Sequence, residues 1–213
     1  MSNLTSQKNI VDTIKKLCDA KLITGTSGNV SCRYQNGFYI TPSAIRYDEL
    51  EPEMIVYVSL DGEYYSDLKP SSEWRIHRDL YQTNTEISAV IHTHSTYCSI
   101  LACLQREIPA FHYMIALGGG KKIPCAQYAT FGSEKLSNNI IDAIDGYKAS
   151  LMANHGAVFT GNDLHSTFDL AVEIELLAHQ YCELLKLGEV KLVDDAEMDI
   201  ILDKFKSYKN TSK

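Results

Sequence analysis

Residues 89–95 read Ala-Val-Ile-His-Thr-His-Ser, and the fold turns on how that stretch is read. Ile87, Ala89, Val90 and Ile91 make an apolar run suited to a buried strand. Residues two apart on a strand face the same way, so His92 and His94 present two imidazoles side by side. On a helix the same spacing would turn them nearly to opposite sides. Zinc and its neighbours in the first transition row accept neutral imidazole nitrogen. The plainer reading is two histidines at a strand end, hydrogen-bonded or exposed, and His-X-His alone does not separate the two.

Outward from this stretch, 213 residues with 45% hydrophobic side chains are enough to bury a core without staples, and residues 1–213 are expected to form one domain. A net charge of −7 argues against nucleic acid or an anionic membrane as the main partner. An anionic small substrate then needs a local site that overrides the overall field. Six cysteines without a Cys-X-X-Cys pair read as reduced, packed thiols, and no sulfur-rich zinc site is visible. The first residues lack an apolar signal region, and no apolar run is long enough to span a membrane. The expected location is the cytoplasm.

The chain begins with an amphipathic helix from about Ser6 to Lys21, with Ile10, Ile14, Leu17 and Cys18 on one stripe, Ser6 as cap and Gly25 closing its end. Gly25-Thr-Ser-Gly-Asn-Val-Ser31 follows. Its backbone N–H groups could converge on an anion, although such a loop is also an ordinary turn. Asn36-Gly37 between two apolar runs predicts a hairpin, with a further strand over Met54 to Leu60. Ser71 or Ser72 caps a helix carrying Trp74, Ile76, His77, Leu80 and Tyr81. Glu73 sits at its start, where the macrodipole favours an ionised acid; that is also the plain, helix-stabilising reading. Ser95 to Gln105 predicts a helix with Ile100, Leu101 and Leu104 inward. Ile123 to Thr130 predicts a strand with an edge proline, and Ser133 to Asp145 a capped helix. Asp163 to Leu187 is the longest helix, its His165 and His179 structural or exposed, and Asp195 to Tyr208 the last. The pattern is antiparallel in its first half, with no internal repeat.

Asn154-His155-Gly156 interrupts two apolar runs, and a buried imidazole needs a partner because leaving it unsatisfied is costly. A backbone carbonyl or a metal would serve. His92, His94 and His155 with one carboxylate would complete a tetrahedral shell, and Glu73 is the first candidate. The hydroxyl-rich loops at 26–29, 43 and 71–72 could gather around a phosphate.

Gly25-Thr-Ser-Gly-Asn-Val-Ser31, Ile40-Thr-Pro-Ser43, Pro70-Ser-Ser-Glu-Trp-Arg75, His92-Thr-His94, Ile108 to Met114, Tyr128-Ala-Thr-Phe-Gly132, Asn154-His-Gly156 and Phe205-Lys-Ser-Tyr208 together resemble the class II aldolase/adducin family over residues 10–208. The resemblance implies a three-layer α/β/α fold whose central sheet is mostly antiparallel. It implies a zinc-dependent homotetramer with sites at subunit contacts, cleaving L-fuculose 1-phosphate reversibly to dihydroxyacetone phosphate and L-lactaldehyde. By likeness His92, His94, His155 and Glu73 hold one Zn2+ per subunit, and Glu73 also serves as base. Thr26, Gly28, Asn29, Ser43, Ala44, Ser71 and Ser72 match phosphate-holding positions. Tyr113 matches a tyrosine that serves the aldehyde oxygen from a neighbouring subunit, and Phe131, Phe205 and Tyr208 match groups around the aldehyde.

Two departures stand out. Relatives have Thr-Gly where this chain has Ser43-Ala44, and alanine takes positive φ only at a cost. Phe111 is an apolar variation before Tyr113. Other readings remain open: an aldolase for another deoxy-ketose 1-phosphate, a related dehydratase, an L-ribulose-5-phosphate 4-epimerase, or a non-enzymatic adducin-type interaction module. The 4-epimerases carry aspartate where Glu73 stands, and adducin-type modules lack the zinc histidines.

Overall fold

The His92 strand is the middle of a seven-stranded sheet. The computed structural model describes residues 3–210. Its strands are β1 (Asn29–Tyr34), β2 (Gly37–Ile40), β3 (Val56–Ser59), β4 (Ala89–Thr93), β5 (Ile108–Pro109), β6 (Lys122–Ile123), β7 (Cys125–Ala126), β8 (Ala149–Met152) and β9 (Gly156–Gly161). The helices are α1 (Asn3–Asp19), α2 (Trp74–Thr83), α3 (Thr96–Cys103), α4 (Glu134–Ile144), α5 (Leu164–Leu187) and α6 (Asp195–Asn210). The main sheet runs β3-β2-β1-β4-β9-β8-β7, while β5 and β6 pair separately. Every pair in the main sheet is antiparallel except β7 with β8.

Period-two alternation divides β4 between two cores. Ile91 packs with residues of α1, α3 and α5, while Val90 packs with residues of α2 and α4. His92, two residues after Val90, therefore faces the α2–α4 layer. Helices cover both faces, which is the expected three-layer α/β/α arrangement with a mostly antiparallel sheet. Among the described residues no helix is long and apolar enough to cross a membrane. The six cysteines are free thiols.

Local details depart from the sequence expectations for identifiable reasons. Ser6 does not cap α1; the helix begins at Asn3 and Ser6 is buried within it. Burying Ile10, Ile14 and Leu17 is worth about 1.5–3 kcal/mol each, against about 1 kcal/mol for a cap, so packing sets the helix limits. Gly25 does not close α1 either. Lys21 takes the left-handed conformation (φ 58°) and Leu22 N donates back to Leu17 O at 2.9 Å. The hairpin corner is Gln35-Asn36, with Gln35 at φ 47° and Gly37 already in β2. A Cβ at Gly37 would run into Val58 O and the Tyr57 ring, so this glycine serves a close approach rather than the turn. The strand predicted over 123–130 splits at Pro124, which lacks an N–H: β6 pairs with β5, and β7 with β8. Of the residues expected to face inward, Ile100 in α3 and Leu104 just past its end face outward, 43% and 60% exposed, and Leu101 is buried with Cys98 and Ala102.

Two glycines clamp the end of β4. A Cβ on Gly28 (φ 77°) would meet the His92 carbonyl at 2.6 Å, and one on Gly156 would press on the Thr93 carbonyl and the His94 ring. Replacing Gly156 by alanine is expected to lower the unfolding free energy by about 2 kcal/mol, the usual scale of overpacking, as read from urea denaturation with an unchanged m-value.

Candidate metal centre and active site

Four side chains from three segments meet at the end of β4. His92 lies in β4 and His94 one residue beyond it. His155 follows Asn154, which takes a left-handed turn (φ 54°) between β8 and β9. Glu73 occupies the residue before α2. The sequence places it in the first turn of a serine-capped helix; instead it stands at the cap position itself and makes no capping hydrogen bond. Its carboxylate turns away from the helix toward the histidines.

The ligand atoms all lie within 4.8 Å of one another. His92 Nε2 is 3.0 Å from His94 Nε2 and 3.1 Å from Glu73 Oε2, and His155 Nε2 is 3.3 Å from Glu73 Oε1. A tetrahedral ion with bonds of about 2.0–2.1 Å has ligand–ligand edges of about 3.3 Å, close to these separations. His92 Nδ1 donates to Ala157 O at 2.9 Å, which fixes the tautomer and leaves Nε2 with a lone pair. That lone pair faces a second imidazole nitrogen and a carboxylate oxygen. Glu73 Oε1 is buried without any hydrogen bond. An acceptor-only, electron-rich cluster with an orphaned oxygen fits a divalent cation.

Charge states agree with this reading. Burial would raise the Glu73 carboxyl, but its interactions with the adjoining His92 and His155 rings and the hydrogen bond from Asn29 outweigh it and hold the carboxyl well below the usual range. Burial, with His92 nearby, brings His94 and His155 down to about 4, so both are neutral and ligand-ready at pH 7. Burial also works against the charged form of His92, yet Glu73 and the Ala157 carbonyl leave it raised. The cluster attracts positive charge, whether as a proton on His92 or as a metal ion.

Beside the cluster is a cavity of about 380 Å³. Thr26, Gly28, Asn29, Ser43, Ala44, Ser71 and Ser72 line it with Glu73, His94 and His155, and Phe131 and Tyr128 are at its rim, 67% and 59% exposed. The backbone draws these loops together: Ser43 N donates to Lys69 O and Ser71 N to Thr41 O. Ala44 adopts φ 61°, so this turn does use a left-handed residue, at a cost of about 1 kcal/mol for alanine. Tyr113 and Phe205 are not among the lining residues. Tyr113 is 50% exposed and its ring stacks beside Phe205 at a centroid distance of 6.5 Å. Tyr208 is in α6, its side chain outside the described residues. His165 and His179 stay away from the cluster; His165 pairs with Asp169 and His179 stacks on Tyr97.

Two supports were not read from the sequence. Glu175 of α5 accepts from Ser95 Oγ at 2.7 Å and from the backbone N–H groups of Tyr97 and Cys98. It thereby anchors the start of α3, directly after His94. Asn29 Nδ2 donates to Glu73 Oε2 at 3.1 Å, and His77 bonds Asn29 from behind.

Comparison with known proteins gives the family. The family described as class II aldolase and adducin N-terminal domain matches residues 8–182. A 5-methylthioribulose-1-phosphate/5-deoxyribulose-1-phosphate aldolase of Rhodospirillum rubrum is 42% identical over 97% of this chain and 94% of its own. An L-fuculose phosphate aldolase of Haemophilus influenzae is 43% identical over 95% of this chain and 94% of its own. A solved L-fuculose 1-phosphate aldolase superimposes with a TM-score of 0.92 at 38% identity, covering 95% of this chain and 96% of that one. The chain belongs to the class II aldolase and adducin N-terminal domain family, and is one of its aldolases.

Proposed function

We propose that this aldolase is zinc-dependent and cleaves L-fuculose 1-phosphate reversibly to dihydroxyacetone phosphate and L-lactaldehyde. The observation that carries the reading is one cavity in which Glu73, His94 and His155, with His92 behind them, adjoin loops rich in hydroxyls and backbone N–H groups. In this reading Thr26, Gly28, Asn29, Ser43, Ala44, Ser71 and Ser72 bind the phosphate. Zn2+ held by His92, His94, His155 and Glu73 would polarise the ketose carbonyl and stabilise the charge left by carbon–carbon cleavage.

The protein's own groups supply the proton steps. Glu73, 6% exposed, is a weak base while the histidine cluster holds its carboxyl low; freed from the cation site, its buried carboxylate would be strengthened by desolvation. It moves the proton at C3 of the dihydroxyacetone phosphate portion. No lysine is among the described lining residues, so an imine route lacks its nucleophile. Tyr113 stands off its own chain's cavity, and we assign it to a neighbouring subunit's site in a homotetramer. There its hydroxyl donates to the aldehyde oxygen during condensation and takes the proton back during cleavage, with Phe131, Phe205 and Tyr208 around the aldehyde. Free thiols support a reducing, cytoplasmic setting.

A second substrate has specific support. The R. rubrum relative is named for 5-methylthioribulose 1-phosphate and 5-deoxyribulose 1-phosphate. Like L-fuculose 1-phosphate, these ketoses end in an apolar group, which Tyr128 and Phe131 would cover. A panel of the three 1-phosphates assayed for dihydroxyacetone phosphate, and of L-ribulose 5-phosphate assayed for conversion to xylulose 5-phosphate, each with and without chelator, separates the readings. The expected result is release from the 1-phosphates, with L-fuculose 1-phosphate highest in kcat/KM, abolished by chelator and restored by Zn2+. Release that chelator leaves untouched overturns the metal reading, and a higher kcat/KM for a pentulose 1-phosphate overturns the substrate.

Glu73→Gln is expected to lower turnover by about 10² or more, the scale of a positioned acid–base group; near-normal turnover removes Glu73 as base. Tyr113→Phe is expected to preserve exchange of the dihydroxyacetone phosphate C3 proton, followed by tritium release, while carbon–carbon cleavage slows by about 10². Equal loss of both activities would count against its role.

A further inference from the structure

Behind the metal cluster, a line of buried polar groups leads from Glu73 into the space between α2 and the sheet. Two periodicities interlock to make it. Glu73, His77 and Tyr81 are four residues apart, one face of a helix. Asn29 and Ser31 are two apart on β1, one face of a strand. Asn29 Nδ2 lies 3.1 Å from Glu73 Oε2, Asn29 Oδ1 lies 2.5 Å from His77 Nε2, His77 Nδ1 lies 2.6 Å from Ser31 Oγ, and Ser31 Oγ lies 2.7 Å from Tyr81 OH. All five residues are buried, His77 and Ser31 completely.

We infer that His77 is a positioning residue, holding the Asn29 amide in the one orientation that keeps the Glu73 carboxylate aimed at the cation site. The inference rests on the reading of Glu73 as a cation ligand. The direction of each hydrogen bond follows from its end. A carboxylate only accepts, so the Asn29 nitrogen faces Glu73 and the Asn29 oxygen faces His77. His77 Nε2 therefore carries a proton. Burial, with no carboxylate bonded to the ring, keeps the imidazole neutral and brings it down to about 3, so Nδ1 is an acceptor. Ser31 donates to it, and Tyr81 donates to Ser31. Each hydrogen bond thus points from Tyr81 toward Glu73.

The chain does not conduct protons, because a carboxamide in its middle cannot take one and pass one on while remaining an amide. What it does is orient. Without the Nε2 proton the Asn29 side chain can turn over, which would place its oxygen against the carboxylate and push Glu73 from its place. Partners one step behind a metal ligand change metal affinity or activity by about 10–100-fold when removed.

The test uses the full chain, stripped of metal and titrated with Co2+ against a chromophoric chelator, with the visible Co2+ spectrum as a report on the ligand set. In His77→Leu, Co2+ is expected to bind about 10-fold weaker or more, with an altered spectrum, and kcat of the Zn2+-loaded protein to fall about 10-fold with KM within about threefold. His77→Gln presents an amide N–H near the Nε2 position, and is expected to recover both affinity and kcat to within about fivefold of the parent. Both variants lose the ring and should show a similar drop in the melting temperature of the metal-free chain. His77→Gln no better than His77→Leu, or His77→Leu within twofold of the parent in Co2+ affinity, overturns the inference. Should His77→Leu fail to fold, Ser31→Ala decides instead: it leaves the ring in place but unlatches Nδ1, and about threefold weaker Co2+ binding supports the inference while unchanged binding overturns it. A parent chain that binds no Co2+ overturns the cation reading itself, a result distinct from all of these.

Discussion

Three imidazole nitrogens and a carboxylate packed within 4.8 Å of one another, with three of the separations at 3.0–3.3 Å, call for positive charge among them. Lone pairs facing each other in a buried site repel, and the low local dielectric sharpens the repulsion. A single proton on His92 Nε2 can serve one neighbour well, not both. The Ala157 carbonyl already claims the Nδ1 proton, so His92 cannot escape by changing tautomer without leaving a buried carbonyl unpaired. A cation satisfies all four groups at once, including the orphaned Glu73 oxygen. The surrounding architecture is best understood as what holds these mutually repelling groups together.

That holding force comes from the sheet and from close backbone approach. The register pairs His92 with Asn29 on one side and with Val158 on the other. β1 thus brings the residue that bonds Glu73, and β9 begins at the residue after His155. Gly28 and Gly156 press against carbonyls of consecutive residues in β4, where any side chain would force the strands apart. Glu175 then ties down the start of α3, so the segment carrying His94 is fixed at both ends. Buried strand and helix contacts supply the free energy, and the glycines permit the close backbone approach that the convergence needs.

How much of this could be read in advance depends on the range of the signal. The His92–His94 pair follows from strand periodicity alone, and His155 from the cost of an unpartnered imidazole between apolar runs. Both are local arguments. Glu73 was legible as an acid at a helix start, but the idea that it stabilises the helix is reversed: the carboxylate abandons the cap to face the histidines. The one-residue shift of the Asn36-Gly37 hairpin arose because Gly37 is required by the Tyr57 ring across the sheet, a contact invisible in the turn itself. Ile100 and Leu104 fit an inward stripe by spacing, yet α3 is only eight residues long and rolls to bury Cys98 and Ala102. Glu175 is 80 residues from Ser95 and no local pattern announces it. The support behind Glu73 did leave a trace, a four-residue period in α2 facing a two-residue period in β1. Neither half is informative until the two elements are known to be neighbours.

The cavity poses a further problem, because a chain of net charge −7 lines it with hydroxyls and amides rather than with lysine or arginine. A phosphate dianion there can draw on backbone N–H groups, serine and threonine hydroxyls and the start of α2. These are neutral donors or partial charges, while the ionised Glu73 at the same helix end opposes an anion. A divalent cation at the His92–His94–His155 cluster changes that balance by offsetting the Glu73 charge and leaving a local positive field. Under the proposed function, anion binding and cation loading would be coupled through Glu73, each making the other more favourable. Among the described residues no lysine or arginine lines the cavity, so an anion there would depend on a cation at the cluster for its positive field.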